Sequence, residues 1–288
     1  MPYGSYEDHY FITSDKARLH FLDRGEGPSL VMLPALGFSS QIFKYQLEQL
    51  SQKYRVLALD MRGHHLSQKV SYGYNIAHFA RDLYEFIRHL KLVNVSLLGH
   101  NFGASVICSY LEQFGFSLLD KLIFIDRSAV PLINPLWTQK EIRNYGPTSN
   151  INSVKRLCSQ IKSSHEDSFV KLFVDSNVAL SNKATFEQRN LVIESSGALS
   201  HSNVSIILYD SFQQDWRSLF RKITIPTLLI GGIGSFIPYS SLIWASKQIL
   251  NSKIFIFEED EGGKHFPFIE NAQYFNQIID TFIQGHLR

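Results

Sequence analysis

The segment Leu97-Leu98-Gly99-His100-Asn101-Phe102-Gly103-Ala104 contains the pattern that decides the fold. It follows an apolar run that starts at Val95, which is typical of a buried strand, and it precedes the apolar stretch Ser105 to Leu111, which is typical of a helix. A strand, one turn residue and a helix in this order strain the backbone at the turn, and flanking glycines let strand and helix pass closely. Asparagine tolerates positive φ better than most residues. The sequence therefore predicts a sharp strand–turn–helix elbow with Asn101 at its tip.

Apolar runs and amphipathic segments alternate along the chain on both sides of this elbow. Segments such as Ile76 to Leu90 place apolar residues every three or four positions, which predicts helices with one buried face. Near the start, Phe11 to Thr13 and Arg18 to Leu22 flank a polar turn and predict an antiparallel hairpin. Short runs rich in β-branched and aromatic residues predict strands buried on both faces: Leu30 to Leu33, Tyr54 to Asp60, Val95 to Gly99, Leu122 to Asp126, Ile225 to Gly231 and Lys253 to Phe257. The alternation predicts an α/β fold with a mostly parallel sheet.

The strand pattern stops between about Pro131 and Arg221. This leaves roughly 90 residues of helical segments and loops between two predicted core strands, too many for an ordinary connection. We expect residues 131–221 to form a helical cap inserted into a core made of residues 1–130 and 222–288. The larger apolar residues of this cap either line a pocket or pack in the hydrophobic core. They are Phe169, Leu172, Phe173, Tyr209, Phe212, Trp216 and Phe220.

Composition excludes several classes of function. The 288 residues are 44% hydrophobic and 19% charged, which suits one large domain. Lys and Arg number 28 against 26 Asp and Glu, so nucleic acid is not an expected partner. Cys108 and Cys158 stand alone, without spacing typical of a disulfide framework or a zinc site. With no basic-then-apolar leader and no long apolar window, we expect a soluble, cytoplasmic protein without membrane contact.

Ligand expectations follow from the motifs that are missing. The sequence has no Gly-x-Gly-x-x-Gly opening a helix and no His, Cys and carboxylate cluster at metal-ligand spacing. We therefore expect neither a cofactor nor a metal, and a small molecule as the partner. The sequence does not indicate an oligomeric state.

The elbow and several other segments resemble the α/β-hydrolase superfamily, in particular its esterase and haloperoxidase-like branch. The elbow of that superfamily reads Gly-x-Ser-x-Gly, and Asn101 stands in place of the serine. Val31 to Ser40 resembles the oxyanion loop, and Tyr54 to Ser67 resembles the strand and loop that end in Asp-x-Arg-Gly-His-Gly-x-Ser, with His65 in place of a glycine. The resemblance implies a central sheet of about eight strands with helices on both faces. It also implies an oxyanion hole made by the backbone N–H groups of Leu36 and Phe102.

The resemblance also indicates where a histidine and an acid should lie. The superfamily's histidine lies in the loop after the last strand, where this chain has His265. Its acid usually follows the strand Ile225 to Gly231, but Gly232 to Pro238 contains no carboxylate, and Ser235 occupies the expected position. Some groups take the acid from the preceding strand end, which makes Asp126 the candidate. The alternative is that Asp126 pairs with Arg127 or caps the next turn.

Asparagine at the elbow limits the chemistry. A neutral carboxamide is not a nucleophile, so an acyl-enzyme on Asn101 is chemically implausible. Ser105 and Ser128 lie near the elbow or the acid but not on a strained turn, so neither is expected to replace the missing serine.

Three functions stay open after this restriction. The His265–Asp126 pair activates water to hydrolyse a small ester, lactone or amide; or it deprotonates the substrate itself, as in the superfamily's cofactor-independent dioxygenases and lyases; or the protein only binds a ligand. A further interpretation is that Asn101 is an engineered substitution made to trap a ligand. The hydrolytic enzyme is the expectation we favour.

Overall fold

A single sheet organises the chain. The structure is a computed structural model and describes residues 7–163, 180–197 and 199–287. The strands are β1 (Glu7–Ile12), β2 (Arg18–Arg24), β3 (Ser29–Leu33), β4 (Arg55–Leu59), β5 (Val95–His100), β6 (Leu119–Ile125), β7 (Thr227–Gly232) and β8 (Ser252–Phe257). Their order across the sheet is β1-β2-β4-β3-β5-β6-β7-β8. The hairpin β1–β2 and the pair β2–β4 are antiparallel, and all other neighbours are parallel. The predicted α/β fold with a mostly parallel sheet of about eight strands is confirmed.

Helices cover both faces of this sheet. They are α1 (Lys44–Leu50), α2 (Ile76–His89), α3 (Phe102–Phe114), α4 (Gln139–Tyr145), α5 (Ile151–Ser163), α6 (Phe186–Glu194), α7 (His201–Phe212), α8 (Arg217–Phe220), α9 (Tyr239–Ser246), α10 (Pro267–Glu270) and α11 (Ala272–Ile283). The apolar faces of α2 and α3 lie in one core cluster, and those of α1 and α11 lie in a second cluster. Asn75 begins α2 by accepting a hydrogen bond from the backbone N–H of His78 at 2.9 Å.

The stretch between β6 and β7 contributes no strand to the sheet in its described part. Five helices, α4 to α8, lie there, and α5 packs against α7. The connection therefore has the helical character that its sequence pattern predicts. Across the described ranges of the chain, no helix combines the length and the apolar character needed to cross a membrane.

Parallel pairing determines which side chains meet. Because β3, β5, β6 and β7 run in the same direction, their carboxyl ends lie at one edge of the sheet. The residues that follow these ends include Leu36, Asn101, Asp126 and Ser235. Asn101, Asp126 and His265 all follow strands that end at this edge, because β8 is also parallel to β7.

Candidate active site

Asn101 forms the turn between β5 and α3. Its φ of 46° and ψ of −100° lie outside the regular helix and strand regions. A Cβ on Gly99 would lie 2.5 Å from the backbone nitrogen of Ala104, and a Cβ on Gly103 would lie 2.3 Å from the carbonyl oxygen of Leu33. Both positions therefore require glycine, because strand β5, helix α3 and the end of β3 approach each other too closely for any side chain.

The carboxamide of Asn101 is anchored to the next strand end. Its Nδ2 donates a hydrogen bond to the backbone carbonyl oxygen of Asp126 at 3.2 Å. Its backbone N–H donates to the carbonyl oxygen of Ile125 at 2.8 Å, so the elbow and the end of β6 are held together twice. With Nδ2 engaged in this way, Oδ1 is the atom of the carboxamide that is left to accept a hydrogen bond from a bound molecule.

Asp126 and His265 form a buried pair. Asp126 follows β6 with a φ of 50°, and its Oδ2 accepts a hydrogen bond from Nδ1 of His265. The same oxygen accepts a second hydrogen bond from Oγ of Ser235 at 2.5 Å. Within the part of the chain that is described, Oδ1 of Asp126 is buried without a hydrogen-bond partner, and Arg127 forms no ion pair with this carboxylate. The structure therefore joins Asp126 to His265 and not to Arg127.

Burial acts on the charge of both members of the pair. Burial lowers the pKa of His265 to about 3, so the imidazole is neutral at neutral pH. Burial also raises the pKa of Asp126 well above its usual range, and the hydroxyl of Ser235 opposes this by donating to the carboxylate. A neutral imidazole whose Nδ1 is held by a carboxylate presents Nε2 as the nitrogen that can accept a proton.

His100, the residue before the elbow tip, supports the loop that carries His265. It is buried, and its Nε2 donates a hydrogen bond to the carbonyl oxygen of His265 at 2.9 Å. The two imidazole rings lie 4.4 Å apart between centroids. Burial, and then the neighbouring His265, hold the pKa of His100 well below its usual range, so this side chain acts as a neutral donor.

Two backbone N–H groups complete the site. The amides of Leu36 and Phe102 donate to no residue in the described parts of the chain, and both residues line the cavity beside Asn101 and His265. The loop that carries Leu36 is fixed because the N–H of Gly37 donates to Nε2 of His64 at 3.1 Å. Unpaired N–H groups at the edge of a cavity are suited to bind a negatively charged oxygen.

The cavity itself has a volume of about 320 Å³ and a mostly apolar surface. Its polar lining residues are Asn101, Arg127, Ser128, Thr148, Ser149, Ser211 and His265. Apolar residues make up much of the remaining wall, namely Ala35, Leu36, Phe38, Phe102, Pro131, Leu157, Leu208, Phe212, Phe236 and Ile237. A cavity of this size and surface fits a small, largely apolar molecule.

The large apolar residues of the stretch between β6 and β7 divide between the cavity and the core. Phe212 lines the cavity, whereas Trp216 and Phe220 are buried in the core and Tyr209 packs against that core. Three further candidates, Phe169, Leu172 and Phe173, lie outside the described residues. Ser128 is buried in the cavity wall, while Ser105 is buried inside α3 and away from the wall.

The structure also brings together a group that sequence spacing did not reveal. His20 on β2, Asp60 after β4 and His65 each place one ligand-type atom within 4.8 Å of the others. Nδ1 of His20 lies 2.7 Å from Oδ2 of Asp60, and Nδ1 of His65 lies 3.1 Å from the same oxygen. The backbone N–H of Ser40 donates to Oδ1 of Asp60 at 2.5 Å, so the carboxylate is fully hydrogen-bonded. Pairing of β2 with β4 brings His20 to Asp60, while His65 lies on the loop that directly follows Asp60.

Comparisons with known proteins agree with this geometry. Residues 28–272 match the family model described as alpha/beta hydrolase fold. AB hydrolase superfamily protein YisY of Bacillus subtilis is 24% identical over 278 residues, covering 95% of this chain and 98% of that protein. A non-heme haloperoxidase of Rhodococcus erythropolis is 34% identical over 133 residues, covering 46% of this chain and 47% of that protein.

A solved structure supports the same assignment. The esterase EaEST from Exiguobacterium antarcticum superposes with a TM-score of 0.82 at 24% identity, over 96% of this chain and 100% of that chain. Its likeness concerns the fold, and the family model independently spans most of the sequence. The chain therefore belongs to the α/β hydrolase fold family.

Proposed function

We propose that this protein hydrolyses a small ester, lactone or amide in the cavity, with water activated by His265 and Asp126. The observation that carries the proposal is the buried hydrogen bond between these two residues. His265 lies on a cavity wall that also holds the amides of Leu36 and Phe102, which donate to no residue in the described parts of the chain. An esterase and a haloperoxidase are among the proteins to which the chain is similar. The asparagine at the nucleophile position separates its mechanism from one that forms an acyl-enzyme on serine.

The attacking water is oriented by two acceptors in this proposal. One of its hydrogens is donated to Nε2 of His265 and the other to Oδ1 of Asn101, so an oxygen lone pair faces the substrate carbonyl. As the oxygen attacks the carbon, Nε2 takes the proton and Asp126 stabilises the imidazolium that forms. Asn101 thus positions the nucleophile and does not supply it.

The tetrahedral intermediate collapses without a covalent enzyme species. The carbonyl π electrons move to the oxygen, and the N–H groups of Leu36 and Phe102 donate to the resulting oxyanion. The electrons then return, the bond to the leaving group breaks, and the leaving oxygen or nitrogen takes the proton from His265. The products are an acid and an alcohol or amine, and the imidazole is neutral again.

The proposal includes a division of the chain into a core and a cap. Leu36, Asn101 and His265 come from residues 1–130 and 222–288, and Leu157 and Leu208 come from residues 131–221. We propose that the second group forms a cap whose apolar side chains exclude bulk water from the carbonyl. Exclusion of water strengthens the hydrogen bonds to the oxyanion.

Turnover of p-nitrophenyl esters and of lactones tests the proposal. We expect linear product release from the parent without a burst of one equivalent, and a loss of about 100-fold or more in kcat for His265→Ala. His286→Ala, which removes an exposed histidine, should retain the parental rate. Asn101→Ser should introduce a burst, because a hydroxyl then stands beside the His265–Asp126 pair.

Three other results would contradict the mechanism. A burst from the parent that Ser128→Ala removes would identify that cavity serine as a nucleophile. If the parent shows no turnover and Asn101→Ser gains activity, the protein is a ligand-binding protein that retains the framework of a hydrolase. If the parent converts a carbon acid in a reaction that depends on His265, the pair deprotonates the substrate directly.

A further inference from the structure

Arg127 carries a positive charge in a buried position. Its side chain is 8% exposed, and it forms no ion pair with any residue in the described ranges. Its one hydrogen bond to those residues joins Nη2 to the carbonyl oxygen of Ser211 at 3.4 Å, and its Nε is buried without a partner. A guanidinium has five N–H donors, so most of its donor capacity is unused.

This unpaired charge lies in the wall of the candidate active site. Arg127 lines the cavity together with Asn101 and His265, and it directly follows Asp126 in the chain. Burial lowers the pKa of Arg127 to about 10, which still leaves the side chain charged at neutral pH. A buried, unpaired charge is strongly unfavourable unless an opposite charge reaches it. Among the cavity's described residues it is the only side chain that is charged at neutral pH.

We infer that the cavity selects molecules that carry a carboxylate, and that Arg127 binds this group while the apolar wall binds the rest. The inference rests on the proposed function, because it names the class of ester, lactone or amide: one with a free carboxylate away from the bond that is cleaved. Planar guanidinium and carboxylate groups match each other's hydrogen-bonding geometry. The mostly apolar wall, which includes Phe38 and Phe212, matches a hydrocarbon body of modest size.

Binding of a matched pair of small molecules tests this inference without any turnover. In calorimetric titrations we expect the parent to bind 3-phenylpropanoate at least about tenfold more tightly than 3-phenylpropanamide, the uncharged analogue of similar shape. Arg127→Gln should bind the two equally, and Arg127→Lys should keep part of the preference. Arg88→Gln, which replaces an exposed arginine on α2, should behave as the parent.

Three results would overturn the assignment. The first is equal affinity of the parent for the acid and the amide, and the second is an unchanged preference for the acid in Arg127→Gln. The third is displacement of the acid by an equal concentration of sulfate, which would indicate a general oxyanion site. If Arg127→Gln does not fold, the comparison of the parent with Arg127→Lys still tests the inference. The lysine ammonium cannot match a carboxylate with two parallel hydrogen bonds, so this variant should lose affinity for the acid and keep its affinity for the amide.

A kinetic comparison links this binding site to the proposed reaction. For mono-p-nitrophenyl glutarate and the corresponding uncharged glutaramate ester, Arg127→Gln should raise KM for the charged ester about tenfold and leave kcat nearly unchanged. A preference for acid in binding, with no hydrolysis of either ester, would refute the hydrolytic function and leave the carboxylate site intact. Hydrolysis of both esters with equal KM would refute the carboxylate site and leave the hydrolytic function intact.

Discussion

Nδ2 of Asn101 donates a hydrogen bond to the backbone carbonyl oxygen of Asp126 at 3.2 Å. This bond connects the tip of the elbow to the end of the neighbouring strand and fixes which way round the carboxamide lies. A carbonyl oxygen accepts and never donates, so only a donor can occupy the Nδ2 position. The elbow therefore favours a side chain that carries a hydrogen-bond donor at this position.

Replacing Asn101 by aspartate should destabilise the protein through this contact. In Asn101→Asp a carboxylate oxygen faces the carbonyl oxygen of Asp126, and we expect a loss of about 1–3 kcal/mol in the free energy of unfolding at pH 7. The folded state raises the pKa of the new carboxyl, so the deficit should be small below its unfolded pKa of about 4 and grow as pH rises. Urea unfolding at pH 4 and pH 7 measures this difference.

Asn251 provides a matched control for that substitution. Its Nδ2 also donates to a backbone carbonyl oxygen, that of Thr224 at 2.7 Å, but the side chain is exposed. Because water can solvate the new carboxylate, Asn251→Asp should cost less than about 1 kcal/mol. Equal losses in the two variants would contradict the importance of burial at the elbow.

Ser235 should act on the reaction through Asp126. Ser235→Ala removes the donor that lies 2.5 Å from Oδ2 of Asp126, which raises the pKa of this carboxyl further. Since the ionised carboxylate is needed, the acidic limb of kcat should move to higher pH, with a decrease of about tenfold near its midpoint and little change in KM. The pH dependence of kcat and KM measures the effect.

Two variants separate this positioning role from a general structural one. Ser235→Thr retains the hydroxyl and should restore the parental pH profile. Ser163→Ala, at an exposed position of α5, should leave the profile unchanged. A uniform loss of rate in Ser235→Ala, with no displacement along the pH axis, would refute the role of its hydroxyl.

Asp60 should contribute to stability above acidic pH. Burial acts to raise the pKa of this carboxyl, but hydrogen bonds from His20, His65 and the N–H of Ser40 outweigh it, and the pKa lies well below its usual range. The stabilisation is therefore complete above the unfolded pKa of about 3.9 and decreases as pH falls towards the folded pKa. Asp60→Asn should reduce the free energy of unfolding by about 3 kcal/mol at pH 7.

The difference between parent and Asp60→Asn should become smaller below about pH 4, because the parent then loses the same contribution. Unfolding in urea at pH 7, pH 4 and pH 3 follows this convergence. The exposed Asp260→Asn serves as the control and should unfold like the parent at each pH. A difference that stays constant down to pH 3 would exclude the linkage.

Gly103→Ala should destabilise the protein, although the same change normally stabilises a helix by about 0.5–1 kcal/mol. The new Cβ would lie 2.3 Å from the carbonyl oxygen of Leu33 and 2.8 Å from that of Pro34, and both are backbone atoms that cannot rotate away. We expect a loss of more than about 2 kcal/mol, measured as a lower Tm, and reduced turnover because the oxyanion loop follows these residues. Ser153→Ala on the exposed side of α5 should have a Tm near that of the parent.

Local patterns predicted the strands of the sheet, because each core strand is a short apolar run, and a helix such as α2 has a regular apolar face. The prediction that the last run is buried on both faces was wrong, because β8 lies at the edge of the sheet and leaves Lys253 and Ile254 exposed. Asn101, Asp126 and His265 were named from the resemblance to the superfamily, and parallel pairing brings their positions after strands to one edge. The bond from Ser235 to Asp126 joins residues 109 positions apart, so no local pattern contains it. The sequence did not exclude an ion pair between Arg127 and Asp126. Whether two neighbouring side chains in a turn contact each other depends on backbone angles, which the sequence alone does not give.

The carboxamide at the elbow also determines how this protein would behave in a proteome-wide survey. Phosphonate reagents that identify serine hydrolases do so by forming a bond to the elbow hydroxyl, and Asn101 has none. The protein would therefore go unlabelled, however active it is. A covalent inhibitor directed at a serine in this position would find no hydroxyl to modify.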